Sequence, residues 1–506
     1  MLSSLPFVPM TPHRTQWLKT FVLIQMIGII GAFSCSKQPV AATARDSLAI
    51  QFHTCEETSS PSSAKCARVE VPQNYDQATG TKLSIFLKVL PALQERSVQE
   101  PVFILAGGPG QAATEIADVM KALIHKTRLH HDVVLVDQRG TGKSHPLNCK
   151  LNDQHHVADL FRTDFELDLL KECLDTYQVN PSQFTTDAFV QDLDQVRQSL
   201  EYPSISLYGI SYGTRAALAY LAKYPNHVNA IVLDGSAPPI MKIPLNFNAD
   251  GQAALEQLFK DCAQNKSCSD RFPHLRQRFY ALLDRLERQP IDVELLHPRK
   301  GNREPARITR NAVASITRGA LYATFSSTLL PLAIDHAEHG DYQLFAALAD
   351  MATLTADSIY FGLFLSIICN EDVRWIDIKE TNSIEENTLL GSSLIQSLKS
   401  ACAQWPQSSV KPPMIPNIQD HSPVLLLSGA LDPATPPKWA EEIATGLNNH
   451  RHIIFSNVGH GTWSTHCGLN LITNFLKNKD LHHLDDRCAA EIDRPAFFLN
   501  PLGIYD

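Results

Sequence analysis

The pentapeptide Gly209-Ile210-Ser211-Tyr212-Gly213 constrains this chain more than any other feature. It follows the apolar run Ile205, Leu207, Tyr208 and precedes a helix-like stretch from Thr214 to Lys223. A serine on a sharp strand-to-helix turn needs small neighbours, because the backbone there is strained and crowded. Glycines two residues before and two after supply them. The turn lifts the hydroxyl out of a sheet and sets it at a helix N-terminus, where negative charge is favoured. The context is that of a nucleophile elbow; an ordinary Gly-Ser turn is the bland alternative.

A serine hydroxyl needs a base to take its proton, and the base needs an acid to hold its tautomer. In folds that use this elbow the chain order is Ser, then Asp or Glu, then His. Downstream, Pro423 to Gly429 reads as a short buried strand, and Asp432 follows in the loop Ala430-Leu431-Asp432-Pro433-Ala434-Thr435-Pro436. His452 to Phe455 reads as another strand, and His460 follows it between Gly459 and Gly461. The bland readings are a turn-forming Asp432 and one of 20 histidines by chance. Asp234 also ends an apolar run and competes as the acid; its earlier place in the chain favours Asp432. An oxyanion needs donors already in place. The Gly-rich loop Ala106-Gly107-Gly108-Pro109-Gly110-Gln111 after the strand Val102 to Leu105 offers the N–H of Gly108, and the N–H of Tyr212 is the second donor. A glycine-rich turn without chemistry is the alternative for that loop.

Asp137-Gln138-Arg139-Gly140-Thr141-Gly142-Lys143-Ser144 ends like a phosphate-binding loop. Its first glycine is replaced by Asp137, whose carboxylate opposes phosphate, so nucleotide binding is not expected.

The Gly107-Gly108-Pro109-Gly110 run, the Asp137 to Ser144 segment and the Gly209 to Thr214 segment together resemble the three signatures of the proline iminopeptidase and tripeptidyl aminopeptidase family of α/β-hydrolases. The tail around Asp432 and His460 is similar to that of its secreted tripeptidyl aminopeptidase branch, and the likeness covers roughly residues 66 to 480. Proline iminopeptidases usually carry His before the Gly-Gly-Pro-Gly run; here Ala106 stands there, against a strictly proline-specific activity. The resemblance implies an α/β-hydrolase fold and removal of one or more residues from the free N-terminus of peptides. Such an enzyme must bind an ammonium group through carboxylates. Glu371 and Asp372, beside Cys369, are the candidates; an exposed acidic turn is the bland reading.

The ends and the cysteines bear on location. His13, Arg14 and Lys19 precede an apolar stretch from Thr20 to Phe33, a signal-peptide core too short to span a membrane. Residues 1–35 read as a signal peptide. Cys35, after Gly31-Ala32-Phe33-Ser34, resembles a lipoprotein lipidation site, and cleavage near Ala41 to Ala44 is the competitor. Export from a bacterial cytoplasm follows either way, to the periplasm, a lipid anchor or the medium. Eleven cysteines leave ten without Cys35. The sequence leaves their connectivity open; pairing of neighbours, the simplest, gives Cys55–Cys66, Cys149–Cys173, Cys262–Cys268, Cys369–Cys402 and Cys467–Cys488, which suits an oxidising compartment. None of these cysteines has zinc-ligand spacing, so no metal or other cofactor is expected. A net charge of -9 with no basic face argues against nucleic acid as partner.

Residues 36–65 are polar and read as a tether. Residues 66–235 read as the N-terminal part of the core: Val69 to Val71 and Leu83 to Val89 as strands around a turn, then an alternation of strands and helices from about 100 to 235, as in a parallel α/β half-sheet. Residues 236–422 show helical periodicities and read as an inserted cap, and residues 423–506 return to the sheet. The expected protein is an exported, cap-bearing α/β-hydrolase that acts as a serine aminopeptidase on peptide substrates with a free N-terminus. A carboxylesterase on the same triad and a non-catalytic surface lipoprotein are the alternatives.

Overall fold

A computed structural model describes residues 50–55, 63–77, 79–94, 99–149, 156–163, 165–356, 358–382, 388–408 and 422–503. The expected signal peptide and Cys35 lie outside the described residues. The apolar runs become strands β1 (His53–Thr54), β2 (Lys65–Pro72), β3 (Lys82–Leu90), β4 (Gln99–Leu105), β5 (His131–Val136), β6 (Ile205–Ile210) and β7 (Val228–Asp234). After an insertion that holds β8 (Ile291–Leu296) and β9 (Arg303–Ile308), β10 (Val424–Gly429) and β11 (His450–Phe455) return to the same sheet. The sheet order is β1-β2-β3-β5-β4-β6-β7-β10-β11. β5, β4, β6, β7, β10 and β11 run parallel, and β1 to β3 are antiparallel.

Parallel strands are buried on both faces, and β6 and β10 read as the near-continuous apolar runs this requires. Alternation along each strand divides the core. Leu105, Leu207 and Leu233 pack with Val190, Leu193, Ala216 and Leu218 of the helices Thr186–Ser199 and Tyr212–Lys223. Ile104, Tyr208 and Val232 face the other way, toward Leu123 and Ile124 and toward Leu471 and Phe475 of the helix His466–Asn478. The chain leaves β4 toward β5 on one side, and β6 lies on the other. This reversal opens a crevice at the strand C-termini, the place where open α/β sheets hold ligands. The Gly107-Gly108 loop follows β4 there, and Ser211 follows β6.

Between β7 and β10 the helices carry a core of their own, built on Leu255, Phe259, Phe279, Leu283, Val313 and Phe345. The hairpin β8–β9 was not expected from the helical periodicity. It pairs exposed charges across the strands, such as Arg307 with Asp292 at 3.1 Å, and buries few residues, so it leaves no apolar run to read. The tether also ends sooner than position 65. His53 and Thr54 pair with β2, and Cys55 is bonded to Cys66, which ties this stretch to the sheet. Among the described residues five disulfides join neighbouring cysteines, with Cα separations of 5.1 to 5.8 Å. No helix among the described residues is long and apolar enough to cross a membrane.

The segment from Asp137 to Ser144 is a structural corner. Asp137 accepts hydrogen bonds from Thr114 and from the Lys143 N–H, which fills the place of a phosphate. Arg139 is fully buried and grips Asp192 with two bonds of 2.7 and 2.6 Å. Its remaining N–H groups meet the carbonyls of Pro72, Gln73 and Gln183, and Asp192 also accepts from Tyr75. Removing one partner of such a pair strands a buried charge. Asp192→Ala is expected to lower unfolding free energy by about 3–5 kcal/mol, read by urea titration with disulfides intact. Replacing both residues by apolar side chains is expected to cost much less.

Candidate active site

The turn after β6 needs both of its glycines. A Cβ on Gly209 would meet the Gly213 carbonyl, and one on Gly213 would overlap the Leu105 carbonyl at the end of β4. Ser211 itself has φ 55 and ψ -123, a conformation that costs a non-glycine residue energy. The Ser211 N–H donates to the Asp234 carbonyl at 2.9 Å, which ties the turn to the end of β7. Thr214 returns through its hydroxyl to the Ser211 carbonyl at 2.6 Å and accepts from the Ala237 N–H at 2.8 Å. Tyr212 opens the following helix, where the first N–H groups have no partner within the helix. Gly107 lies so close that its added Cβ would stand 3.1 Å from the Ser211 Cβ. Gly108 has φ 107 and Gly110 has φ 107, so the loop that carries the expected donor needs glycine at both. Ser211, Gly108 and Tyr212 are therefore brought together.

Asp432 and His460 meet directly. His460 Nδ1 lies 2.7 Å from Asp432 Oδ2. Asp432 makes both the turn and the contact with His460. Its Oδ1 accepts from the N–H groups of Ala434 and Thr435, each at 2.8 Å, as a turn-forming aspartate does. Its Oδ2 is left for His460 and for the Thr435 hydroxyl at 2.7 Å. Thr435 Oγ1 also lies 3.1 Å from His460 Nδ1. The competing acid, Asp234, has another task. It accepts from Thr462 N–H at 2.8 Å, Trp463 N–H at 3.0 Å and Tyr208 O–H at 2.9 Å, and so fixes the loop after His460. Gly235 follows, and a Cβ there would sit 3.3 Å from the His460 ring. Ser211 and His460 thus flank the same strand end.

Burial lowers the basicity of His460, but the Asp432 carboxylate outweighs it and raises the imidazole pKa above its ordinary value. Burial pushes Asp432 up, and His460 with the Thr435 bonds brings it below the usual carboxylate value. Asp432 thus favours the protonated ring and holds it through Nδ1, which leaves Nε2 as the basic nitrogen whenever the ring is neutral. An imidazole held this way can take a proton from a hydroxyl at Nε2.

The insertion touches the loops on both sides. The Tyr322 carbonyl accepts from the His460 N–H at 2.7 Å, and the Tyr322 ring stands edge-on to the imidazole at 5.1 Å. The Gly110 carbonyl accepts from the Tyr360 N–H at 2.8 Å. Glu371 and Asp372 lie at the end of the helix Phe361–Glu371, and neither is in an exposed turn. Asp372 is fully buried and bound to Arg215 at 3.0 and 3.1 Å, so it is spent on the elbow helix and has no face for a substrate. That corrects its expected role as an amine ligand. Glu371 keeps partial access to solvent. Its two oxygens accept from Thr186 N–H and O–H, each at 2.6 Å, and Thr186 Oγ1 meets the Tyr212 hydroxyl at 2.7 Å. Burial raises the Glu371 carboxyl above its ordinary value, with Arg215 opposing.

Sequence reading missed Thr435, Tyr322 and Arg215. Thr435 had a local signal, since it stands three residues after Asp432, the spacing of an aspartate turn. Tyr322 and Arg215 act through contacts made only by the folded chain.

Any Ser211-dependent hydrolysis is expected to fade as pH falls through the raised His460 pKa, because protonation removes the base. Its acid limb in kcat/KM should lie above the ordinary value of about 6.5. Asp432→Asn removes the carboxylate that holds the imidazole up, so the limb should move down while kcat falls about 10³–10⁴-fold. Thr435→Val, which deletes one hydrogen bond to that carboxylate, is expected to cost about tenfold to a hundredfold in kcat, read in the same assay.

Comparison with known proteins shows the family. The α/β-hydrolase fold family matches residues 100–463. The chain is 26% identical over 443 residues to carboxylesterase B of Mycobacterium tuberculosis, covering 78% of this chain and 81% of that protein. It is 24% identical over 434 residues to a tripeptidyl aminopeptidase of Streptomyces coelicolor, covering 79% and 78%. It is 28% identical over 228 residues to the serine protease Hip1 of Mycobacterium tuberculosis, covering 41% and 43%. With its strained serine turn at the switch point of a mostly parallel sheet, the chain belongs to the α/β-hydrolase family.

Proposed function

We propose that the protein is an exported serine aminopeptidase that releases N-terminal residues or short peptides from peptide substrates. The observation that carries the reading is the 2.7 Å contact between His460 and Asp432 beside the Ser211 turn. Ser211 Oγ attacks the substrate carbonyl while its proton passes to His460 Nε2. The N–H groups of Gly108 and Tyr212 hold the oxyanion that forms. The C–N bond then breaks, and the same proton goes to the departing amine. Water adds to the acyl-enzyme with His460 again as base, releasing the carboxylate product and restoring the Ser211 hydroxyl. Asp432 holds the imidazole tautomer throughout.

The likeness to a tripeptidyl aminopeptidase across 78% of that protein supports a peptide substrate. Glu371 is the proposed anchor for the substrate ammonium. Its oxygens each keep a lone pair beyond the Thr186 bonds, and Thr186 links it to Tyr212 of the elbow. The insertion acts as a cap that admits chain ends. Five disulfides support export to an oxidising compartment. Carboxylester hydrolysis on the same triad is the second reading, favoured by the likeness to a carboxylesterase over 81% of that protein.

The test is hydrolysis of chromogenic peptide amides with free and with acetylated N-termini, alongside short acyl esters and a Ser211→Ala control. Free-amine peptides alone should be cleaved, and Ser211→Ala should abolish turnover. Glu371→Gln is expected to raise KM about tenfold or more with a smaller change in kcat. Equal cleavage of acetylated peptides, or of esters only, rules the aminopeptidase out.

A further inference from the structure

Next to His460 the structure holds a cation that the mechanism above does not use. Arg318 projects from the insertion helix Arg310–Leu321, one turn before Tyr322. Its guanidinium lies 4.1 Å from the Phe247 ring centroid and 5.0 Å from that of Tyr322, and its Nη2 donates to the Tyr322 hydroxyl at 2.8 Å. The neighbouring helix Leu245–Gln264 makes room for the stem. Gly251 stands one turn after Phe247, and a Cβ there would lie 3.4 Å from Arg318 Cδ. Two aromatic rings, a hydroxyl and a glycine thus build a niche for one side chain.

Among the described residues that niche has no anion: no carboxylate pairs with Arg318, and its Nε is buried without a partner. The nearby acids are taken: Asp250 by Lys438 and by Trp439 at 2.9 Å, and Asp432 by His460. A guanidinium is always charged and is shaped to bind a carboxylate. Its place is also informative. Arg318 and the imidazole both pack on the Tyr322 ring, at 5.0 and 5.1 Å from its centroid. Arg318 is close enough to oppose the positive charge of His460. In the proposed mechanism His460 hands its proton to the departing amine, so a cation packed on the same tyrosine is placed to meet the leaving fragment.

We infer that Arg318 binds a carboxylate on the leaving fragment, so that the preferred substrates are short peptides whose C-terminal carboxylate lies just beyond the scissile bond. This rests on the peptidase reading and narrows it. Long chains have no carboxylate at that place, so the arginine would select short free peptides over protein N-termini.

The test uses alanine peptides of two to five residues, each as the free acid and as the carboxamide, with products followed by mass spectrometry. The wild-type protein should prefer the acid about tenfold or more in kcat/KM, chiefly through KM, at the length that seats the carboxylate, and the preference should fade in longer chains. Arg318→Met should bring the acid-to-amide ratio near one, and Arg318→Lys should retain part of it. A ratio near one at every length in the wild type, with cleavage still dependent on Ser211, overturns the role of Arg318 and leaves the aminopeptidase standing. So does a ratio that Arg318→Met does not change while overall activity falls, which marks a purely structural residue. If no peptide of either kind is cleaved while acyl esters are, the peptidase reading fails and this inference falls with it.

Discussion

The structure depends on one close approach, that of the elbow helix to the end of β4. Gly213 lies against the Leu105 carbonyl, and Gly209 lies against Gly213. Without side chains at these two places the helix can start directly above the sheet, and Ser211 is forced into its strained backbone conformation. The strain is offset by fixed neighbours: the Asp234 carbonyl on the Ser211 N–H, the Thr214 hydroxyl on the Ser211 carbonyl, and the buried Arg215–Asp372 pair one turn further along. The same approach puts the serine beside the Gly107-Gly108 loop. Position and strain therefore have one cause.

Charge is distributed around this point with little waste. Two buried aspartates at adjacent strand ends do different work. Asp432 holds the imidazole, and Asp234 holds the loop that carries it. Tyr322 then closes the histidine from the insertion side, through its carbonyl and its ring. The insertion is thus bound to the loops beside the serine turn on two flanks, at Tyr322 and at Tyr360, rather than resting on a finished sheet.

The legible parts of the fold were those with a local cause. The pentapeptide could be read because strain demands glycine at fixed offsets. β4, β6, β7 and β10 could be read because strands buried on both faces are continuous apolar runs. Asp432 and His460 could be read because each follows such a run in a Gly or Pro loop. The parts that escaped depend on distant partners. Nothing in Cys369-Asn370-Glu371-Asp372 indicates that Asp372 faces Arg215, 157 positions earlier, instead of a substrate. The hairpin β8–β9 hides because its outward residues are charged and its inward ones few. The corner at Asp137 imitates a phosphate loop because both need glycines; Asp137 in place of the first glycine sets it apart in the sequence, and only the fold shows that this carboxylate serves Thr114 and Lys143.

The most direct measurement is peptide mapping by mass spectrometry after reaction with a fluorophosphonate, on the intact protein and on His460→Ala. A single adduct on Ser211, lost or strongly slowed in His460→Ala, is the result this account requires. No adduct, or an adduct on another serine, contradicts the assignment of the Ser211 turn as a nucleophile site.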